Sequence, residues 1–121
     1  MGRQSEPEIS TPGLPSEFAE RVLDLVAQIP SGYVMTYGQV ADQLGSGAAR
    51  AVGTVMARFG SGVPWHRVVR SDGRPPAGHE VEAVARYRSE GTPLRKNGQF
   101  VDMSAALWLG PDHAHQRQNV R

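Results

Sequence analysis

The residues best suited to chemistry lie together in the middle of the chain. Residues 63–69 read Val-Pro-Trp-His-Arg-Val-Val, and the centre of this strip is Trp65 followed by His66 and Arg67. Covalent catalysis needs a thiolate, an activated hydroxyl, an amine or a carboxylate, and an indole ring supplies none of these. The chain has no cysteine, and hydroxyl groups near the strip, such as that of Ser71, have no evident base beside them. The strip is therefore not expected to supply a covalent nucleophile.

Other catalytic and metal-binding patterns are absent from the sequence. It contains no glycine-rich phosphate loop, no Ser/His/Asp signature and no paired catalytic carboxylates. His113 and His115 lie two positions apart in a polar segment, without the spacing of a zinc site. We therefore expect no enzymatic activity, no cofactor and no metal.

Charge and composition favour a single intracellular domain with a basic centre. The 121 residues suit one domain, no apolar run is long enough to span a bilayer, and the start of the chain does not resemble a signal peptide. The lack of cysteine fits a cytoplasmic location. Five of the twelve acidic residues lie in the first 24 positions, whereas residues 43–79 carry five arginines and one aspartate. Arginine suits phosphate binding and stacking on bases.

The apolar periodicity predicts three helices in the first half of the chain. The first starts after a Ser16 cap, with an inner face of Phe18, Val22, Leu25, Val26 and Ile29. Tyr33 and Val34 form a short extended piece. A capping box of Thr36 and Gln39 starts the second helix, which ends near Gly45. The third covers about 48–59, with Val52, Val55, Met56 and Phe59 inward. The tight turn between the second and third helices predicts a helix-turn-helix.

The second half predicts a loop-rich region, one helix and a hairpin. Residues 71–73 form a turn, and residues 74–78 form a Pro/Gly-rich loop. Residues 79–90 form a helix whose apolar positions are Val81, Val84, Ala85 and Tyr87. The Asn97-Gly98 pair is the strongest hairpin signal and suggests a wing beside the helix-turn-helix. We expect a mainly α domain with small β content at 16–109, between flexible tails at 1–15 and 110–121.

Three short blocks resemble one known family. Residues 36–39 read Thr-Tyr-Gly-Gln, residues 47–53 read Gly-Ala-Ala-Arg-Ala-Val-Gly, and residues 64–69 read Pro-Trp-His-Arg-Val-Val. In this order and at these spacings they resemble the winged helix-turn-helix-like DNA-binding domain of the O6-alkylguanine-DNA alkyltransferases. The family's Pro-Cys-His-Arg-Val motif carries the alkyl-accepting cysteine, and here Trp65 stands at that position. The chain thus resembles the alkyltransferase-like proteins, which bind alkylated DNA without repairing it.

The resemblance implies roles for individual residues. Arg50 matches the finger arginine that fills the base stack after a nucleotide has flipped, and Tyr37 matches the tyrosine beside the flipped base. His66 and Glu90 match the pair that activates the cysteine, and without a thiol they become a structural remnant; Arg67 pairs internally. The implied lesion pocket is Tyr37, Trp65, Val68, Val69 and Arg74. The implied DNA-binding set is Thr36, Gln39, Ala48, Ala49, Arg50, Gly53 and Ser71.

The resemblance implies a non-enzymatic sensor of O6-alkylguanine in double-stranded DNA. Such a protein binds in the minor groove, flips the damaged base and flags it for nucleotide excision repair proteins. We expect a monomer in the cytoplasm, associated with the nucleoid when bound to DNA, and without a membrane partner. A winged-helix transcription regulator is the alternative, because the helix-turn-helix and the Asn97-Gly98 wing fit it equally well.

Overall fold

The computed structural model describes residues 16–45 and 48–113, so the tail predicted at 1–15 and most of the tail predicted at 110–121 lie outside them. The main elements are α1 (Glu17–Gln28), β1 (Met35–Thr36), α2 (Tyr37–Gln43), α3 (Ala49–Phe59), β2 (Val68–Val69), α4 (Glu80–Glu90) and α5 (Met103–Ala106). Short 3-10 turns cover Gly60–Gly62, Trp65–Arg67 and Pro111–His113. Within the described ranges, no helix has the length and apolar character needed to cross a membrane.

The predicted helix starts are confirmed. The Ser16 hydroxyl accepts a hydrogen bond from the Ala19 amide at 3.1 Å, which caps α1. At α2 the Thr36 hydroxyl accepts from the Gln39 amide, and the Gln39 side chain accepts from the Thr36 amide, each at 3.0 Å. Both arrangements satisfy backbone donors that have no partner inside the helix. Gly45 adopts φ +76° after α2, the left-handed conformation expected there.

A two-stranded parallel sheet joins the helix-turn-helix to the Trp-His-Arg strip. Met35 pairs with Val68, and Thr36 pairs with Val69. Parallel strands need a crossover, and here α2 and α3 provide it. The strand therefore covers Met35–Thr36 and not the predicted Tyr33 and Val34. Val34 makes a single bridge to Leu107.

The hydrophobic core has two parts on either side of this sheet. The larger cluster packs α1, α2 and α3 together, and the buried Trp108 closes it. The smaller cluster contains Val69 and Val101 together with Ala83 and Tyr87 of α4. Since β2 contributes Val68 to the larger cluster and Val69 to the smaller one, the sheet fixes the strip relative to α3.

Of the four apolar positions predicted for α4, Val84 and Tyr87 pack against the smaller core cluster, but Val81 and Ala85 do not. Val81 is 88% exposed and Ala85 is also exposed, whereas Ala83 and Tyr87 are fully buried. The reason is the Tyr87 hydroxyl, which donates to the buried His66 carbonyl oxygen at 2.6 Å. A large ring that both packs and hydrogen-bonds outweighs two small aliphatic side chains in setting the rotation of the helix.

The predicted wing is reduced to a turn and one bridge. Asn97 Oδ1 accepts from the amides of Gln99 and Phe100, and Gly98 has φ +70°, so the tight turn is present. The only pairing between its arms among the described residues is the Leu94–Val101 bridge. The Val101 amide instead donates to the Gly73 carbonyl oxygen at 2.8 Å, which ties the turn to the loop after β2. The expected class, mainly α with little β, is confirmed.

Candidate functional site

A cleft of about 590 Å³ opens between α3, the strip and α4. Its walls come from elements that the sheet and the two core clusters hold together. The residues that give it its chemistry are Tyr37, Gly53, Trp65, His79, Glu82 and Arg86. Its size is within the range typical of small-molecule sites.

Trp65 forms an aromatic wall of this cleft. The ring is half-buried and stands edge-on to His66, with centroids 5.7 Å apart. His79 lies 5.5 Å from it on another side, and the Arg86 guanidinium lies 5.3 Å from the ring centroid. Glu82 accepts a 2.9 Å hydrogen bond from Arg86, one helical turn away, and so orients the guanidinium. The cleft therefore has a flat apolar surface beside an oriented cation.

Behind Trp65, a charged network ties the strip to the end of α4. Glu90 accepts hydrogen bonds from His66 Nε2 at 2.8 Å and from Arg67 Nε at 3.1 Å and Nη2 at 2.8 Å. Arg67 Nη1 also donates to the Ile29 carbonyl oxygen at 2.8 Å, at the end of α1. The network thus links three parts of the chain that are distant in sequence.

The protonation states of this network follow from burial and charge. Burial alone would raise the pKa of Glu90, but hydrogen bonds from Arg67 and His66 outweigh it and lower that pKa to about 2. Burial lowers the pKa of His66 more than the neighbouring Glu90 raises it, so the imidazole is neutral at pH 7. Nε2 then carries the proton that Glu90 accepts. The other nitrogen, Nδ1, is buried without a hydrogen-bond partner in the described structure.

Tyr37 lines the opposite side of the cleft at the first position of α2. Burial raises the pKa of its phenol, an effect that the nearby Arg70 partly offsets. The hydroxyl is therefore protonated at pH 7 and can donate a hydrogen bond. Because the capping box fixes the start of α2, this position is defined by the local sequence.

The start of α3 presents small side chains and one arginine. Ala48, Ala49 and Gly53 leave the helix backbone accessible, and a Cβ built on Gly53 meets no atom within 4 Å. Arg50 is exposed and, within the described residues, forms no ion pair. Its guanidinium is thus available to an external partner beside the cleft that Gly53 lines.

The structure does not bring every residue predicted from the sequence to the cleft. The side chains of Val68 and Val69 are fully buried in β2 and offer no surface to a ligand. Arg74 lines a different cavity, where it pairs with Asp72 at 3.0 Å. Ser71 is exposed in the turn after β2.

Three of the residues that give the cleft its chemistry were missed from the sequence, namely His79, Glu82 and Arg86. Arg86 and His79 reach the cleft because Tyr87 sets the rotation of α4. The spacing of four residues between Glu82 and Arg86 predicts an ion pair on one face of the helix. It does not predict that this face points into the cleft. Across the described part of the chain, no group of three or more His, Asp or Glu side chains could hold a metal ion.

Comparison with known proteins identifies relatives of this domain. Residues 17–92 match the family model described as "6-O-methylguanine DNA methyltransferase, DNA binding domain". The chain is 41% identical over 99 residues to the DNA base-flipping protein of Escherichia coli, covering 75% of this chain and 74% of that protein. It is 45% identical over 102 residues to alkyltransferase-like protein 1 of Schizosaccharomyces pombe, covering 76% and 94%.

Solved structures agree with these relatives. The S. pombe Atl1 complex with damaged DNA containing O6-carboxymethylguanine superposes with a TM-score of 0.66 at 31% identity, over 78% of this chain and 98% of that one. Mycobacterium tuberculosis OGT in complex with DNA gives a TM-score of 0.55 at 33% identity, over 64% and 51%. The second superposition covers only about half of the larger protein.

Proposed function

The chain belongs to the family of 6-O-methylguanine DNA methyltransferase DNA-binding domains, in its alkyltransferase-like branch, and from this premise we propose that it is a non-enzymatic sensor of alkylated DNA. It binds double-stranded DNA that contains O6-alkylguanine, turns the damaged base out of the helix and holds it in the cleft. Flipping costs a few kcal/mol, and less for a damaged base that pairs poorly.

The observation that carries this proposal is the chemistry of the cleft wall. Where a transferase needs a nucleophile, the cleft presents the indole of Trp65, and the chain has no cysteine. His66 donates its Nε2–H in a hydrogen bond to Glu90 and is too buried to act on a ligand itself. An aromatic wall suits stacking or edge contact with a purine and apolar contact with an alkyl group. The cleft can therefore bind an alkylated base but has no group to receive the alkyl.

The start of α3 supports binding from the minor groove. The small side chains of Ala48, Ala49 and Gly53 let the helix backbone come close to DNA. Arg50 is unpaired within the described residues and fills the gap in the base stack, where its planar guanidinium can stack and donate to the orphaned base. Thr36 and Gln39 already satisfy each other in the capping box, so their contribution is to hold Tyr37 at the cleft.

Arg86 takes the role of lesion probe that the sequence suggested for Arg74. Its guanidinium lies over Trp65 and is oriented by Glu82, whereas Arg74 lines another cavity. Together with His79 it makes one side of the cleft polar beside the apolar wall. Arg86 therefore contacts the polar side of the O6 substituent, while Trp65 contacts the purine ring and the apolar part of the substituent.

The His66–Arg67–Glu90 network acts as a scaffold for the strip. It fixes Trp65 from behind through two neighbouring residues that share one carboxylate. The Tyr87 hydroxyl adds a buried hydrogen bond to the same backbone. Such a charged hydrogen-bond network holds the wall of a binding site in one position without taking part in chemistry.

The wider cellular role follows by family analogy. The sensor acts as a monomer in the cytoplasm, bound to the nucleoid at sites of damage, through a domain that spans about residues 16–109. It passes the lesion complex to nucleotide excision repair proteins. The transcription-regulator alternative needs a wing for DNA contact, and the single Leu94–Val101 bridge gives it little support.

An alkyl-transfer assay tests the absence of chemistry. The protein is incubated in excess with a duplex that carries one O6-methylguanine, and its intact mass is measured. The expected result is an unchanged protein mass and a lesion fully recovered in the DNA, because the cleft has no thiol. Transfer of one methyl group in place of a hydrogen would add about 14 mass units to the protein. A stoichiometric gain of this size would identify a covalent acceptor and reject the proposal.

Arg50→Ala tests base flipping. The loss of a stacking contact should weaken binding to the lesion by about 1–3 kcal/mol. It should also reduce the change in fluorescence that protein binding causes in a 2-aminopurine placed at the target position. Arg58→Ala is the matched control, because Arg58 is exposed on the same helix two turns away. If Arg50→Ala lowers only the salt dependence of binding, by about one unit, then Arg50 contacts a phosphate and not the base stack.

A further inference from the structure

A second cavity of about 600 Å³ lies on the other flank of α4. It is bounded by α4, the loop at 70–75 and the turn at 99–100, and we refer to it as the α4 groove. Helix positions 79, 82 and 86 line the lesion cleft, whereas positions 80, 84 and 88 line the α4 groove. The buried Ala83 and Tyr87 separate the two sets. A base held in the cleft therefore does not occupy the groove.

The floor of the α4 groove is apolar and uncovered. Val81 is 88% exposed, and it lies beside Val84, Ala85 and Phe100. The apolar pattern of the sequence predicted inward positions at Val81 and Ala85, but the packing of Tyr87 turns both outward, while Val84 stays partly buried against the core. Large apolar side chains gathered in an exposed concave patch are typical of binding surfaces.

The rim of the groove is positively charged. Arg70, Arg74 and Arg88 line it, against the single carboxylate of Glu80, which stands 3.5 Å from Arg70. Asp72, beside the groove, pairs with Arg74. Counting Asp72, three arginines face two carboxylates, and Arg88 forms no ion pair among the described residues, so the rim keeps one excess positive charge for an acidic ligand.

The rim arginines are held in position while most of their donors stay available. Arg88 Nη2 donates to the Gly98 carbonyl oxygen and Arg70 Nε to the Pro75 carbonyl oxygen, each at 3.0 Å. The Arg74 guanidinium lies 5.4 Å from the centre of the Phe100 ring. A guanidinium has five N–H donors, so each arginine can still bind a carboxylate.

We infer that the α4 groove binds an acidic peptide segment of a partner protein that carries one large apolar side chain. The apolar side chain packs between Val81 and Phe100, and flanking carboxylates pair with Arg70 and Arg88. A DNA phosphate would satisfy the arginines but would leave the apolar floor exposed, so the combined surface favours a peptide. The inference does not depend on lesion recognition, because the groove and the cleft use different residues.

Fluorescence anisotropy with designed peptides tests this inference. The probe is a fluorescein-labelled peptide of roughly twelve residues, which at about 3.3 Å per residue is longer than the groove in extended form; it consists of Asp and Glu with one central Phe and is used at near-physiological salt. We expect saturable binding, and binding at least about tenfold weaker when Ser replaces the Phe. A basic peptide of the same length should not bind. Failure of the Phe peptide to bind saturably overturns the inference.

Two groove variants and one control locate the binding. Val81→Ser should weaken binding of the peptide about fourfold, because it removes an apolar contact. Val81 is 88% exposed, so the substitution should leave the fold intact. Arg88→Glu should weaken peptide binding at least about tenfold. Arg58→Glu makes the same charge change outside the groove and should leave peptide binding unchanged. Unchanged peptide affinity in Val81→Ser contradicts the inference.

Competition with DNA separates the two classes of macromolecule. We expect an undamaged duplex not to displace the peptide, and Val81→Ser to keep the full preference for lesion DNA. If the duplex displaces the peptide and Arg88→Glu weakens duplex binding more than Arg58→Glu does, the rim holds phosphate and the inference is rejected. The lesion titration in the same variants reports separately on the proposed damage recognition.

Discussion

Replacing Glu90 with glutamine removes the charge at the centre of the network behind Trp65. The Glu90 carboxylate accepts three hydrogen bonds, one from His66 and two from Arg67, and its side chain is only 16% exposed. Glutamine keeps the shape of the side chain but is neutral, so Glu90→Gln approximates a permanently protonated Glu90. The variant therefore isolates what the negative charge contributes to stability.

The magnitude follows from the pKa of Glu90. The network lowers this pKa to about 2 from an ordinary value of 4.5. A shift of one unit corresponds to about 1.4 kcal/mol, so the charged form stabilises the fold by about 3 kcal/mol at neutral pH. Because the pKa is lower in the folded state, this stabilisation is complete above about pH 4.5 and is lost as the pH falls towards 2.

Urea unfolding at pH 7, followed by tryptophan fluorescence, measures the loss. We expect Glu90→Gln to lower the free energy of unfolding by about 3 kcal/mol, since glutamine keeps only one neutral acceptor oxygen and places an NH2 donor against His66 or Arg67. Glu82→Gln is the control, because Glu82 forms an exposed ion pair with Arg86 that contributes less than about 1 kcal/mol. Carbon-13 NMR titration of the Glu90 carboxyl gives the pKa directly. Equal losses in the two variants, or a Glu90 pKa near 4.5, would refute the reasoning.

Three further substitutions probe the cleft and the loop that supports it. Trp65→Ala should reduce the preference for O6-methylguanine over guanine more than it reduces binding to undamaged duplex, because binding to undamaged duplex depends mainly on phosphate contacts. Paired titrations measure this preference, and thermal melting checks that the variant is folded. Arg86→Gln should weaken binding to an O6-carboxymethylguanine duplex by about 1 kcal/mol more than binding to a neutral O6-propylguanine duplex, since the guanidinium faces the substituent. Equal losses of affinity for the two duplexes would exclude contact between Arg86 and the carboxylate. Gly73→Ala should lower stability by about 2 kcal/mol or more in a melting experiment, because Gly73 has φ +91° and a Cβ there would collide with the Val101 carbonyl oxygen.

Sequence reasoning predicted best where local chemistry decides the structure. The Ser16 cap, the Thr36–Gln39 capping box and the left-handed Gly45 involve residues close in sequence, and all are confirmed. The family resemblance, carried by three short blocks, is confirmed by the match over residues 17–92. Within the proposed pocket, Tyr37 and Trp65 both lie at the cleft.

Prediction was weakest where distant contacts decide the structure. The rotation of α4 depends on a hydrogen bond from Tyr87 to the backbone 21 residues earlier, which no local pattern reveals. That rotation sends Arg86 to the cleft and Val81 to the surface. Likewise, the turn at Asn97-Gly98 was predictable, but the pairing of Val101 with Gly73 that limits the hairpin was not.

The proposal that this protein recognises damage without repairing it is tested most directly by one titration. Two duplexes of the same sequence, one with guanine and one with O6-methylguanine at a single position, are titrated with the protein at fixed salt, and the dissociation constants are compared. We expect the lesion duplex to bind at least about tenfold more tightly, a difference of about 1.4 kcal/mol, because the damaged base is easier to flip and its alkyl group contacts the Trp65 wall. Equal dissociation constants for the two duplexes would contradict the proposed function.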